Sequence, residues 1–236
     1  MPNKEQALVI IPTGAIEQHG HHLPVGVDAL LGQAWIENVL LRLKPDAPVF
    51  VAPPLTYGKS NEHSAFAGTL SLSGNTLRRL LLAVATQIKA LGFRQLAVLN
   101  THGGNSPVVI LTLREIQTTL GLRAGVLSWP FKPDQTPQEA AYGFHAGEWE
   151  TSLMLAIADE LVDMTKAVCE YPASLDDPGE LRPENAPATF SWATQDVSHS
   201  GVLGDATSAT PEKGRLWLDA QSAALARQIE NLLDGS

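Results

Sequence analysis

The sequence predicts a three-layer α/β fold, in which a mainly parallel sheet carries helices on both faces. Short apolar runs, such as residues 7–11 and 95–99, have the length and composition of buried strands. These runs alternate with longer segments of helical period, as βαβ units do. The 236 residues, 44% of them hydrophobic and 17% charged, are enough for one domain with a full core. We therefore expect residues 1–236 to form a single domain.

The same patterns place the elements in chain order. Strands are predicted at residues 7–11, 49–52, 95–99 and 123–128, and helices at 29–43, 77–91, 107–120 and 146–158. Asn75 is the predicted N-cap of the second helix, and Gly92 marks its end. The last helix should begin at Pro211, with Thr210 as its cap, and run towards Leu233. Residues 170–200 show no clear period, so we expect short irregular elements there, at a contact between subunits.

The net charge and the cysteine content limit the classes of binding partner and the cellular compartment that we expect. The net charge of −9 makes nucleic acid and anionic membranes poor partners, because both repel an acidic surface. Cys169 is the single cysteine, so an intrachain disulfide is excluded and a reducing compartment fits. The sequence has neither a leader-like apolar segment nor an apolar run of roughly 20 residues. We expect a cytoplasmic protein without membrane association.

The first polar cluster directly follows the first predicted strand. Glu17 and His19 lie within it, and three of the seven histidines fall within four residues, with Asp28 soon after. Imidazole and carboxylate together suit zinc, manganese or iron. The spacing of two lets the side chains of Glu17 and His19 point the same way in extended chain. A solvated polar loop is the alternative, but the apolar, glycine-rich flanks favour a buried site.

A second histidine occupies an equivalent place after another strand. His102 lies in Asn-Thr-His-Gly-Gly-Asn, between the predicted strand at 95–99 and the next helix. Because ligands bind at the carboxyl ends of parallel strands, the two clusters should meet in one crevice. The segment lacks the glycine patterns of nucleotide-binding loops, which makes a phosphate site the weaker interpretation.

Two more segments carry candidate side chains. His145, Glu148 and Glu150 open a predicted helix and are acid–base or ligand candidates. The alternative for both glutamates is stabilisation of the helix start by the dipole, without a functional role. The other segment contains four polar residues that are candidates for substrate binding: Ser60, Asn61, Glu62 and His63. Glu62 and His63 are also candidates for orienting a metal ligand.

Taken together and in order, these motifs resemble the creatininase (creatinine amidohydrolase) family. Gly-Ala-Ile-Glu-Gln-His-Gly-x-His-Leu-Pro at 14–24 is similar to its first motif, and Asn-Thr-His-Gly-Gly-Asn at 100–105 to its second. His-Ala-Gly-x-x-Glu-Thr-Ser at 145–152 is similar to its third. Segments 60–63, 66–69 and 201–207 extend the likeness, which runs from about residue 11 to 214. The resemblance implies a creatininase-like fold and a homo-oligomer, a hexamer.

The resemblance also implies a centre of two divalent metal ions, zinc, manganese or iron. Asp28 would bridge them, Glu17 and His102 would complete one site, and His19 would belong to the other. Creatininase draws a further ligand from a glutamate in its second motif, where this chain has Gly104. We predict that Glu150 replaces it.

The predicted reaction is attack of a metal-activated water on a small cyclic amide or formamide-like substrate. His145 would deliver a proton to the leaving nitrogen, because an imidazole titrates near neutral pH. Gly103 and Phe144 stand where the family's creatinine-specific pattern has an aromatic and an acidic residue, which weakens the case for creatinine.

Three alternatives stay open at this level. Relatives that the resemblance brings in include a deformylase of a ribosylaminopyrimidine and a peptidase that trims the mycofactocin precursor. A mononuclear oxygenase or isomerase would use two histidines and a carboxylate. A non-catalytic metal-binding protein is the third alternative.

Overall fold

The computed structural model describes residues 4–172 and 191–234 and places four parallel strands in one sheet. The strands are β1 (Leu8–Thr13), β2 (Val49–Val51), β3 (Gln95–Asn100) and β4 (Arg123–Val126), in the order β2-β1-β3-β4. Leu8 lies opposite Gln95, and Thr13 lies opposite Asn100. The chain therefore leaves β1 and β3 at the same edge of the sheet.

Helices connect the strands and cover both faces of the sheet. They are α1 (Val27–Leu40), α2 (Gly74–Ala90), α3 (Ser106–Glu115), α4 (Pro137–Tyr142), α5 (Glu148–Ile157), α6 (Thr194–Val197) and α7 (Pro211–Leu233). A π-helical turn, Ile116–Leu120, extends α3. Two short strands, β5 (Cys169–Glu170) and β6 (Gly204–Asp205), pair antiparallel. In the described part of the chain, no helix has the length and apolar character needed to cross a membrane.

The alternation of side chains along the strands produces two cores. Leu8 and Ile10 of β1 face one core, and Val9 and Ile11 face the other. The first core is filled from α1, α5 and α7, for example by Trp35, Leu153 and Trp217. The second is filled from α2 and α3, for example by Leu77, Leu81 and Val109. The predicted three-layer fold is confirmed.

Element boundaries agree with the sequence patterns to within a few residues, and two helix starts are informative. Thr210 caps α7 as predicted, since its hydroxyl accepts the Lys213 amide at 3.2 Å. Asn75 was the wrong cap for α2, because Gly74 is already helical and the Ser73 hydroxyl accepts the Thr76 amide at 3.1 Å. The residues 173–190 of the patternless segment lie outside the described residues.

Candidate metal centre

Six ionisable side chains converge beyond the carboxyl ends of β1 and β3. They come from the loop after β1, the first turn of α1, the loop after β3 and the start of α5: Glu17, His19, Asp28, His102, His145 and Glu150. Five of them are almost fully buried, and the side chain of Glu150 is 17% exposed. The structure thus brings together every residue that the sequence predicted as a metal ligand.

One half of the centre is formed by Glu17, Asp28 and His102. Nδ1 of His102 lies 3.1 Å from Oε2 of Glu17 and 3.5 Å from Oδ2 of Asp28. Each residue offers one ligand atom, and these atoms lie within 4.8 Å of one another. Two carboxylates and one imidazole at this separation can hold a zinc or manganese ion.

The other half is formed by His19, Asp28 and Glu150. Nε2 of His19 lies 3.6 Å from Oδ1 of Asp28 and 3.7 Å from Oε2 of Glu150. Asp28 therefore belongs to both halves and uses a different oxygen in each. This arrangement suits two cations that share one carboxylate.

Hydrogen bonds to backbone carbonyls orient the two histidines of the centre. Nδ1 of His19 donates to the Glu17 carbonyl at 3.1 Å, and Nε2 of His102 donates to the Lys59 carbonyl at 3.0 Å. Each ring then presents an unprotonated nitrogen to the carboxylates when it is neutral. Among the residues that the structure describes, no hydrogen-bond partner is found for the buried atoms Nε2 of His19 and Oδ2 of Asp28. Because buried polar atoms are normally paired, these two atoms fit a site built for a cation.

The ionisable groups of the centre strongly shift one another's pKa values. Burial, followed by the neighbouring carboxylate of Glu17, raises the pKa of Asp28 to about 6. Burial opposes protonation of His19, but Glu150 and Asp28 raise its pKa to about 9. Burial would also raise the pKa of Glu17, yet His102 holds it well below its ordinary value. Carboxylates crowded in this way beside histidines are a donor set that a divalent cation would neutralise.

His145 and His63 form the wall of the centre beside Glu17. Their rings stack with centroids 4.1 Å apart. Nδ1 of His145 and Nε2 of His63 lie 3.6 and 3.7 Å from Oε1 of Glu17. His145 can also join Glu17 and His19 as a third group of possible ligands. Burial, with the positive charge of neighbouring histidines, lowers the pKa of both rings, that of His63 to about 3.

The segment predicted to bind substrate lies against the centre, but its residues differ in exposure. Ser60 is buried and donates to Oε2 of Glu17 at 2.5 Å. Asn61 is exposed. Glu62 lies 3.5 Å from Nε2 of His102 and accepts from Nζ of Lys59 at 3.0 Å. Although burial raises its pKa, the contact with His102 lowers it to about 2.

Gly104 leaves the space that Glu62 fills. A Cβ atom at this position would collide with Oε1 of Glu62, and it would lie 2.6 Å from the Lys59 carbonyl oxygen. A larger residue here would have to displace Glu62 from His102. The absence of a side chain at position 104 is thus required by the local packing, and Glu150 supplies a carboxylate to the centre from α5.

A buried glutamate that the sequence did not single out holds the segment before α5. Glu139 accepts hydrogen bonds from the Glu148 amide at 2.9 Å, the Asp205 amide at 2.9 Å and the Tyr171 hydroxyl at 2.8 Å. The segment that it holds contains Ala146, whose φ of 54° is costly for a residue with a Cβ. The Ala146 amide donates to Glu150 at 2.5 Å. Glu139 therefore supports the turn that aims Glu150 at the centre.

Glu148 has a different environment from Glu150. It is buried and pairs with Nζ of Lys213 at the start of α7. It belongs to none of the three ligand groups found in the described residues. Of the two glutamates at the start of α5, only Glu150 faces the centre.

Comparison with known proteins gives concordant results. The sequence profile described as creatinine amidohydrolase, of the creatininase family, matches residues 2–229. The chain is 33% identical to the creatinine amidohydrolase of Pseudomonas putida, over 94% of this chain and 88% of that protein. It is 34% identical to the mycofactocin precursor peptide peptidase of Mycobacterium ulcerans, over 88% of this chain and 78% of the peptidase.

Solved structures support the same relationship. A manganese form of creatininase superposes with a TM-score of 0.77 at 31% identity, over 97% of this chain and 91% of that chain. A mutant creatininase complexed with creatine also gives a TM-score of 0.77, at 32% identity, over 97% and 92% of the two chains.

Proposed function

The chain belongs to the creatininase family of metal-dependent amidohydrolases, and we propose that it cleaves a carbon–nitrogen bond in a small cyclic amide or formamide-like substrate. The observation that carries this proposal is the pair of three-residue groups that share Asp28 at the carboxyl edge of the sheet. Acyl transfer to water needs a nucleophile, an electrophilic group near the carbonyl and a proton carrier. Cations held by the centre would supply the first two, and a histidine of the centre would be the third.

We propose that each chain holds two divalent cations, zinc, manganese or iron. Glu17, Asp28 and His102 would hold one, and His19, Asp28 and Glu150 the other. When bound, the cations supply a water acidified towards neutral pH and a Lewis acid for the substrate carbonyl. Ser60 keeps Glu17 in place through its 2.5 Å hydrogen bond, and Glu62 does the same for His102 across 3.5 Å.

His145 is the proposed proton carrier. Its Nε2 donates to the Gln18 carbonyl at 2.8 Å, so its Nδ1 faces the centre as an acceptor. The ring takes a proton from the attacking water at Nδ1 and delivers it to the leaving nitrogen as the carbon–nitrogen bond breaks. Glu150 stands near the same path, 3.7 Å from His19. Asn61, Glu62 and His63 are the proposed substrate contacts at the rim and wall.

A substrate panel tests this function. The purified protein, loaded with zinc or manganese, is assayed on creatinine, other cyclic amides, formamidopyrimidine-type compounds and short peptides. Release of a ring-opened acid or formate, lost on chelation and restored by metal, supports an amidohydrolase of small substrates. Failure of every amide to react in the presence of a fully loaded centre would contradict it.

A peptide is the second candidate substrate. Mycofactocin precursor peptide peptidases are as similar to this chain as the creatinine amidohydrolase is, at 33–34% identity. Gly103 and Phe144 give no support for a creatinine-specific pocket. Release of amino acids or a short fragment from the C-terminus of a peptide substrate would favour a peptidase over an enzyme that acts on small amides.

Replacing Glu150 with glutamine should reduce the metal content from about two ions per chain to about one, because the charge of one ligand is lost. Elemental analysis after gel filtration measures it. Glu148→Gln is the matched control, since Glu148 lies in the same turn but pairs with Lys213. If Glu150 only stabilises the start of the helix, the Glu150→Gln variant should keep both ions and lose about 0.3–1 kcal/mol of folding free energy.

We also propose a cytoplasmic, closed homohexamer, on the basis of the family resemblance. Light scattering should then report a mass several times that of the 25.3 kDa chain. A stable 25.3 kDa monomer at micromolar concentration would contradict this assembly.

A further inference from the structure

We propose that Gln18 is a positioning residue that fixes the Nε2–H tautomer in both stacked imidazoles of the wall, and that the two rings face the centre with opposite nitrogens. His145 then presents a lone pair to the reacting atoms, and His63 presents an N–H. The catalytic meaning of this arrangement rests on the proposed function, but the tautomers themselves follow from hydrogen bonds. The amide of Gln18 lies between two proposed ligands in sequence and contacts both rings in space.

The orientation of the Gln18 amide is determined by backbone groups. Its Oε1 accepts the Gly20 amide at 2.8 Å, and its Nε2 donates to the Gly201 carbonyl at 3.0 Å. A backbone N–H can only donate and a backbone carbonyl can only accept, so the reversed amide would lose both bonds. The remaining hydrogen of Nε2 is therefore free for a side-chain acceptor.

That acceptor is His63. Its Nδ1 lies 2.8 Å from Nε2 of Gln18 and must be unprotonated to accept the hydrogen. The hydroxyl of Thr194 lies 2.9 Å from the same nitrogen and can donate as well. In a neutral ring the proton is then on Nε2, which is the nitrogen that faces Glu17 and the centre at 3.7 Å. His63 thus offers the centre a hydrogen-bond donor.

His145 has the complementary arrangement. Its Nε2 lies 2.8 Å from the backbone carbonyl of Gln18, which can only accept, so Nε2 carries the proton. The side-chain nitrogen of Gln18 also lies 3.0 Å from this atom. It does not donate to the ring, because its two hydrogens are used by His63 and the Gly201 carbonyl. The lone pair of the neutral ring lies on Nδ1, 3.6 Å from Glu17.

The two rings therefore have different roles in the proposed hydrolysis: His145 transfers a proton, and His63 stabilises negative charge. As the water forms its bond to the carbonyl carbon, its proton moves to Nδ1 of His145, and the Nε2–H of His63 stabilises the oxygen that gains charge. The proton on His145 then passes to the leaving nitrogen as the carbon–nitrogen bond breaks. No oxidant or further reactant is needed.

Two further segments that resemble family motifs contact Gln18. The hydroxyl of Thr69 accepts a hydrogen bond from the backbone N–H of Gln18 at 3.0 Å. Gly201 adopts φ of +85°, and a Cβ there would collide with the Gln18 side chain. A rigidly held amide between two imidazoles is what a tautomer-setting residue requires.

Nitrogen NMR of the ¹⁵N-histidine-labelled protein tests the inference directly. The zinc form is used, because zinc is d¹⁰ and therefore diamagnetic, and the His63 and His145 signals are assigned from His63→Gln and His145→Gln. Both rings should be neutral at pH 7 with the proton on Nε2. A proton on Nδ1 of His63, or a cationic ring, overturns the proposal even if the enzyme hydrolyses its substrate.

Gln18→Met provides the second arm. Loss of the donor should shift the His63 signal towards the Nδ1–H form, with zinc content retained and kcat reduced by at least about tenfold. Gln221→Met is the matched control, because Gln221 is equally buried but lies in α7 and bonds to Phe131. Unchanged His63 signals in Gln18→Met would contradict the proposal. If that variant does not fold, the wild-type spectra still decide.

Discussion

Asp28→Asn should empty both halves of the metal centre and abolish hydrolysis, while the metal-free protein becomes more stable. Asp28 is the carboxylate common to both ligand groups, so the loss of its charge weakens both cations at once. Elemental analysis should give well below one ion per chain, against about one for Glu150→Gln. Two full equivalents in the Asp28 variant would contradict the sharing of this residue.

The gain in stability follows from the pKa of Asp28. Burial and Glu17 raise that pKa from 3.8 to about 6. Well below pH 3.8 the group is protonated in both the folded and unfolded states, and it has no effect on their balance. Above pH 6 the folded state bears the charge at a cost of roughly 3 kcal/mol, from about 1.4 kcal/mol per pKa unit. The stability penalty therefore grows as the pH rises through this window.

Chemical denaturation of the metal-free proteins at pH 4 and pH 7 checks the sign. The variant should be more stable than the wild type at pH 7, and the difference should be much smaller at pH 4. Asp46→Asn, at an exposed position, is the control and should change the free energy of unfolding by less than about 0.5 kcal/mol. A metal-free Asp28→Asn protein that is less stable at pH 7 would refute the electrostatic argument.

His145→Ala should lower kcat by about 10²–10⁴-fold, the range for removal of a general acid–base, with metal content unchanged. The reason is that Nδ1 of His145 faces the centre, while its Nε2 is held by the Gln18 carbonyl. Steady-state kinetics and elemental analysis of the same preparation separate the alternatives. His21→Ala, an exposed neighbour of the first motif, should behave like the wild type.

The metal content of His145→Ala also tests whether His145 is a metal ligand. His145 also forms a possible ligand group with Glu17 and His19. If the alanine variant loses an ion together with activity, His145 is a ligand and not the proton carrier. If it keeps both ions and full activity, the proposed mechanism is wrong.

The layers of the fold and the edge that carries the site were predictable from the sequence. Leu8, Val9, Ile10 and Ile11 form an apolar run whose alternate side chains fill two cores. The hydrophobic period and length of such a segment are local properties, and they limit a strand of this kind to the centre of a covered sheet. The positions of Glu17 and His102 after two such strands then placed them at one edge.

The ligand identities depended on the family resemblance as much as on chemistry. Glu17 and His19 lie two residues apart, and that spacing already brings them to one side of the loop. By contrast, sequence could not choose between Glu148 and Glu150 from helix-start chemistry alone. The turn at Ala146, supported by Glu139, directs Glu150 to the centre and leaves Glu148 to Lys213.

The sequence by itself determined the α/β layers, the edge of the sheet that holds the site and the chemical class of its side chains. The tertiary structure decided which oxygen of Asp28 faces each ligand group, that Glu62 fills the space beside Gly104, and that Gln18 contacts His63 and His145. His63 and His145 are 45 and 127 positions from Gln18 in the sequence. The physical reason is that a local pattern fixes how one segment buries its own apolar face, whereas hydrogen-bond partners and ligand sharing depend on which loops the packing of distant helices brings together.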